Sequence, residues 1–356
     1  MNSNRRLFLL TAIVFCISAL HAQTGTLKIA PVNMRENSPV KLSEITGEMK
    51  KVSLELTDES LIGSVRRIIF QDDKLILFEG ITEKVMLFDL KGKYIRQIGS
   101  KGQGPGEYPG LIDIAYDNNE DIIFITSTSN KILCYNTNGV FLRECPISYP
   151  EAIFFHDGYI NLISTQFGEK VEKGYLNQTT LYRIDDRCNL IDSLIVKSIL
   201  LERLMGSTFP QRDFVSQVNS QTFVYYPVLT PEPIVRDTLY EFKAGKLIPF
   251  LKLRFSDEGS AASRNNKTKN ITNIWRSERF VFAHYQSRDG DFYVMHDLKT
   301  GQSNNMKDGF IDDIHDNGTV KIRPLGDNHF YFLVTPDFPI LEEEPNPDVY
   351  IGKFLK

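Results

Sequence analysis

Chemistry in a sequence starts with side chains that can ligate, attack or transfer protons. After residues 1–22 the histidines are His156, His284, His296, His315 and His329. None stands at the short spacing of a zinc-ligand pair. Ligands gathered from distant parts of the chain remain open, and His156, His284 and His315 are the candidates for a divalent metal. The competing reading makes them loop histidines or core histidines with satisfied ring nitrogens. Asp312, Asp313 and Asp316 form one carboxylate cluster and Asp117–Asp121 another. Neither has the Asp-x-Asp-x-Asp-Gly order of a calcium loop, and both read as solvated turns. No Gly-x-Ser-x-Gly elbow marks a nucleophilic serine. The glycines of Ile98–Tyr108 lack the Gly-Lys-Ser/Thr ending of a phosphate cradle and are followed by strand-like sequence, so no helix dipole faces them. No catalytic residue is assigned and no cofactor is expected.

The bulk properties narrow the class. The chain has 356 residues and a formal net charge of −4. It has no basic run, so nucleic acid is not an expected partner. Arg5 and Arg6 precede an apolar run from Leu7 to Leu20, and Ala22-Gln23 follows as a cleavage point. This pattern predicts an export signal over residues 1–22 and a periplasmic or cell-surface protein. The run is too short to span a bilayer, and no later run of about 18 apolar residues exists. A lipid anchor is the less favoured fate, because Cys16 follows the bulky Phe15 rather than a small residue. Signal removal leaves Cys134, Cys145 and Cys188. A Cys134–Cys145 bridge could join neighbouring strands, but connectivity cannot be read from spacing. Cys134 and Cys145 read as small apolar core residues.

The elements that must position any site come from an internal repeat. Lys84–Phe88 aligns with Lys131–Tyr135 at an offset of 47, which also places Gly92 over Gly139 and Arg96 over Arg143. A period in this range marks a stacked or circular repeat. The first copy holds four strand-like pieces, Val65–Phe70, Lys74–Glu79, Lys84–Asp89 and Lys93–Ile98. Its unbroken apolar runs Leu75–Phe78 and Val85–Phe88 require cover on both faces. Four-stranded sheets standing side by side in a ring provide that cover. The third copy is expected over Glu151–Gln166 and Thr180–Leu194 with Phe167–Gln178 as an insertion. The fourth spans Gln217–Phe255 and the fifth Ile274–Met306. The sixth takes Gly309–His315, Thr319–Pro324, His329–Thr335 and Val349–Phe354. Val52–Thr57 alternates apolar and polar residues and is expected to join the last sheet as its outer strand, so that no edge stays open. Residues 23–48 would form an N-terminal extension and 49–356 the repeat domain. Ser256–Asn270 reads as a loop, and Glu342–Glu344 as a solvated bulge before the closing strand.

Ile98-Gly99-Ser100-Lys101-Gly102-Gln103-Gly104-Pro105-Gly106-Glu107-Tyr108, followed by Asp113–Asp117, resembles the linker-and-strand signature of NHL-type propellers. It is more closely similar to a six-bladed β-propeller family abundant in Bacteroidota. The resemblance implies an all-β, exported, six-bladed propeller, generally treated as a binding or scaffold module, and it carries over no catalytic residue. Within that frame Gly99, Gly102, Gly104 and Gly106 supply backbone angles barred to other residues, Pro105 stiffens the turn, and Tyr108 plugs a ring between blades. Arg66, Arg67 and Asp113 lie on or near innermost strands and are candidate polar ligand contacts in the axial funnel; intrachain ion pairing is the competing reading. The expected function is recognition of a peptide, glycan or envelope protein without catalysis. The alternative is a propeller hydrolase or lyase with a divalent metal on the axis.

Overall fold

A computed structural model describes residues 27–71, 73–206, 213–227, 236–256, 269–337 and 344–356. The expected signal segment, most of the Ser256–Asn270 loop and Glu342-Glu343 lie outside the described residues.

Among the described residues the chain is all-β, with one three-residue helical turn at Leu42–Glu44. Six sheets of four or five strands follow one another along the chain. Sheet I holds Val65–Gln71, Lys74–Glu79, Lys84–Asp89 and Tyr94–Ile98. Sheet II holds Leu111–Asp117, Ile122–Ser127, Lys131–Asn136 and Phe141–Pro146. Sheet III holds Pro150–His156, Tyr159–Val171, Gly174–Ile184 and Leu190–Leu201. Sheet IV takes Val215–Val218, Gln221–Val224, Thr238–Lys243 and Lys246–Phe255. Sheet V takes Lys269–Arg276, Phe280–Ser287, Gly290–Asp297 and Ser303–Lys307. Sheet VI takes Arg323–Gly326, His329–Val334 and Asp348–Phe354. Neighbouring strands within each of these runs pair antiparallel, so tight turns suffice to connect most of them.

Apolar clusters fill the spaces between successive sheets. Ile76, Phe78 and Val85 of sheet I meet Ile114, Ile123 and Leu133 of sheet II. Phe124 and Ile132 meet Ile153 and Ile160 across II and III, and Phe154 and Ile163 meet Val224 and Phe242 across III and IV. Phe223 and Leu251 meet Ile274 and Val281 across IV and V, while Phe280 and Phe282 meet Phe330 and Phe354 across V and VI. Tyr331 and Val349 of sheet VI meet Leu75 and Met86 of sheet I. This double cover explains the unbroken apolar runs, since each buried Leu, Ile, Val or Phe contributes roughly 1.5–3 kcal/mol.

Several expectations change in detail. The N-terminal strand that pairs with Asp348–Phe354 is Thr46–Ser53, antiparallel and upstream of the expected Val52–Thr57. A second N-terminal strand, Lys28–Val32, runs parallel to Lys246–Phe255 as a fifth strand of sheet IV. Val40, Leu42 and Ile45 fill the cluster between sheets V and VI. Residues 28–45, part of the expected N-terminal extension 23–48, thus pack against sheets IV, V and VI. The expected insertion Phe167–Gln178 is mostly strand. It continues the hairpin Tyr159–Val171/Gly174–Ile184, whose polar residues Gln166, Thr179 and Thr180 still sit in ladder register. Phe310–Asp312 and Gly318–Val320 leave sheet VI and form a separate two-stranded ribbon. Cys145, expected as a free core residue, is bonded to Cys188, while Cys134 is free and buried.

In the glycine stretch only Gly99 (φ 67°) and Gly106 (φ 72°) take positive φ. Gly102 and Gly104 do not; instead Glu107 crowds Gly102 and its carboxylate accepts the Gly104 amide at 2.8 Å. Tyr108 is fully buried between sheets I and II.

Candidate binding site

Two ion pairs join the innermost strands. Arg67 of sheet I binds Asp113 of sheet II through one guanidinium nitrogen, at 2.9 and 2.8 Å from the two carboxylate oxygens. Asp113 also accepts the amide of Ile153 in sheet III at 2.9 Å, and Arg67 donates to the Ile153 carbonyl at 3.3 Å. On the other side Arg323 of sheet VI donates to Asp213, just ahead of sheet IV, at 2.7 Å from both Nε and Nη2. Arg323 also donates to the carbonyls of Val65 and Arg66 in sheet I. Asn273 of sheet V donates to the Asp213 carbonyl at 3.0 Å. Each of the six sheets thus meets this network directly or through the segment leading into it.

Burial alone would lower both guanidinium pKa values. Asp113 for Arg67, and Asp213 for Arg323, outweigh it and hold them above the usual arginine range. The pairs are charge-balanced. Arg67 and Asp113, the candidate ligand contacts, pair with each other. The side chain of Arg66 lies over Gly80, where a Cβ would come within 2.3 Å of its Nε.

The three candidate histidines are not brought together. His156 Nδ1 meets the Thr222 hydroxyl at 2.9 Å and its Nε2 lies 3.1 Å from Asp157. His315 sits on the segment between the ribbon strands, edge-on to Tyr350. His284 is on the second strand of sheet V. Among the described residues no group of three or more His, Cys, Asp or Glu could hold a metal ion. The Asp312 carboxylate accepts the amides of Ile314 and His315, and Asp313 binds Ser43, so both serve turns.

A cavity of about 350 Å³ opens between sheets V and VI, with Asp213 and Phe214 forming one wall. Its aromatic side is Trp275 stacked on Phe282 (centroids 4.3 Å apart) and His284 stacked on Tyr293 (4.5 Å). Its polar lining is Thr272, Asn273, Gln286, Lys321 and the Arg323–Asp213 pair. Gln286 and Lys321 are exposed and mark the mouth. One lining atom, Asn273 Oδ1, is buried with no hydrogen-bond partner among the described residues, while His284 Nε2 lies 3.4 Å from the Asp291 carboxylate. A smaller hollow of about 90 Å³ lies beside Arg67, Tyr116 and Phe155. Of the cavity residues the sequence had offered only His284, as a metal ligand. The available signal for the rest was Trp275, the single tryptophan of the chain.

Burial lowers the pKa of His284, against the pull of Asp291. It also lowers those of His156, His296 and His329. A folded-state histidine below its unfolded value of about 6.5 binds fewer protons than the unfolded chain. Its contribution is then complete above about pH 6.5 and declines as pH falls through the folded value. Thermal midpoints should therefore drop between pH 7.5 and pH 5.5. The lowered carboxylates Glu79 and Asp297 act only at still lower pH. A midpoint that is flat or rising on acidification over this interval would contradict the assignment.

A crystal structure of a Bacteroides fragilis protein described provisionally as exported matches the chain at TM-score 0.68 and 19% identity, covering 92% of this chain and all of that one. A DUF4221-family protein of Bacteroides vulgatus matches at TM-score 0.49 and 12% identity, over 90% of this chain and 99% of its own. The WD40 β-propeller domain of Doa1 matches at TM-score 0.39 and 12% identity, over 82% of each chain. No curated protein sequence matches. Among the described residues the fold is all-β, and no helix is long and apolar enough to cross a membrane. A family model matches residues 25–350, and the chain belongs to that family, described as a domain of unknown function (DUF4934).

Proposed function

We propose that the protein is an exported six-bladed β-propeller, closed by its N-terminal strand, that serves as a binding module for an envelope glycan, peptide or protein. The six sheets are the blades. The pairing of Thr46–Ser53 with Asp348–Phe354 supports closure, as does the apolar cluster shared by sheets VI and I. The NHL-like linker Ile98–Tyr108 supports the same reading. Export is supported by the Arg5–Gln23 pattern and by the Cys145–Cys188 bridge, which belongs to an oxidising compartment such as the periplasm or cell surface.

The observation that carries the binding function is the cavity between sheets V and VI. Its volume is at the small end of the ~300–1,000 Å³ range of ligand pockets, and its lining mixes apolar rings with a few convergent polar groups. The Arg323–Asp213 pair forms part of its wall. A thermal-shift screen of soluble glycan fragments and short peptides tests the reading. Binders should raise the melting temperature of the wild type and lose that effect in Gln286→Ala and Lys321→Ala. Binders indifferent to both substitutions would place recognition elsewhere and sink the proposal for this cavity.

A further inference from the structure

We infer that the cavity takes a single acidic sugar unit, a pyranose ring bearing a carboxylate; this rests on the cavity being the binding site. The rings of Trp275, Phe282, His284 and Tyr293 line the cavity and give it an apolar wall against which the C–H groups of a sugar would pack. Around them stand two carboxamides, Asn273 and Gln286, which can donate and accept at once. Vicinal hydroxyls need that double capacity. The partnerless Asn273 Oδ1 shows hydrogen-bonding capacity that the described residues do not use.

Charge selects among sugars. Arg323 is committed to Asp213 at 2.7 Å. Lys321 is more than half exposed and pairs with Asp291 at 3.8 Å, beyond hydrogen-bond length, so an incoming carboxylate would share its ammonium with Asp291 and could take the closer contact. A neutral sugar would meet the rings and amides but leave this cation unused. A peptide carboxylate would meet the cation without matching the ring-and-amide surround.

The single tryptophan makes the site directly observable, because all tryptophan emission comes from the cavity wall. The probes are sodium glucuronate, glucose, sodium acetate and alanyl-glutamate, titrated into the full mature chain. Glucuronate should give a saturable change in emission at least about tenfold tighter than glucose or acetate, the factor expected of one charge-assisted contact. Lys321→Ala, an exposed substitution that spares the core, should bring glucuronate down to the glucose level. Gln286→Ala should weaken both sugars.

Equal affinity for glucose and glucuronate, or no effect of Lys321→Ala, would overturn the acidic-sugar assignment and leave the binding cavity standing. Tighter binding of alanyl-glutamate would replace a sugar with a peptide as its ligand. Unmoved emission with all four probes would also overturn the assignment. If the wider fragment and peptide screen then moves nothing at Trp275 either, the binding reading of the cavity falls with it.

Discussion

Asp113→Ala is expected to destabilise the protein by about 3–5 kcal/mol, the typical effect of removing one partner from a buried ion pair. Asp113 is almost fully buried and accepts from both Arg67 and the Ile153 amide. Truncation leaves a guanidinium inside the molecule without its counter-charge and an amide without its acceptor. The unmet desolvation dominates over the lost attraction, so removing both charges is a different experiment. Arg67→Met with Asp113→Leu should recover much of the loss, since well-packed apolar pairs often equal or exceed buried ion pairs. Denaturant midpoints of the two single variants and the double variant measure this directly. A near-neutral Asp113→Ala would mean that Arg67 finds water, and the network would no longer explain how the inner strands hold together.

Loss of the Cys145–Cys188 bridge is the second large effect. The cysteines are 43 positions apart, with Cα atoms 5.3 Å from each other, inside the range of native disulfides. Loop-closure entropy for a loop of this length gives about 4 kcal/mol, within the usual 2–4 kcal/mol scale of native bridges. The bond joins the outer strand of sheet II to the turn before the outer strand of sheet III. Cys145→Ser should therefore lower the thermal midpoint by several degrees, and reductant should lower the wild type towards the variant without affecting the variant itself. Burial pushes the Cys134 thiol up to about 11, so little thiolate exists at neutral pH to reshuffle the bridge. A wild type indifferent to strong reductant would show that the bridge is absent in solution.

The sheets were legible because their burial is periodic. Leu75–Phe78 and Val85–Phe88 in the first repeat, with Ile132–Tyr135 in the second, state double cover in plain apolar runs. Sheet III was harder. The residues that extend its hairpin, such as Gln166, Glu169 and Gln178, are polar, and a strand protruding beyond the core needs no apolar alternation. Lys28–Val32 escaped notice because a five-residue strand has little pattern, and its parallel partner lies more than two hundred residues away.

Site residues suffered from the same locality. Arg67 and Asp113 could be placed on inner strands from sequence, but whether they pair or face a ligand depends on the distance between two sheets. Trp275, Gln286, Tyr293 and Lys321 carry no shared spacing. They come together only because strands of sheet V and the residues after the 310–320 ribbon pack beside one another. The cysteine pairing was equally remote, since Cys188 sits in a turn at φ 69° that no repeat alignment marks.

Hydrogen–deuterium exchange on the intact protein tests ring closure most directly. Amides of Thr46–Ser53 that bond to Asp348–Phe354 should be protected to the same degree as that partner strand, and the two should exchange together as one cooperative unit. If Thr46–Ser53 exchanges within seconds like a free tail while Asp348–Phe354 stays protected, the ring is not closed by its N-terminus.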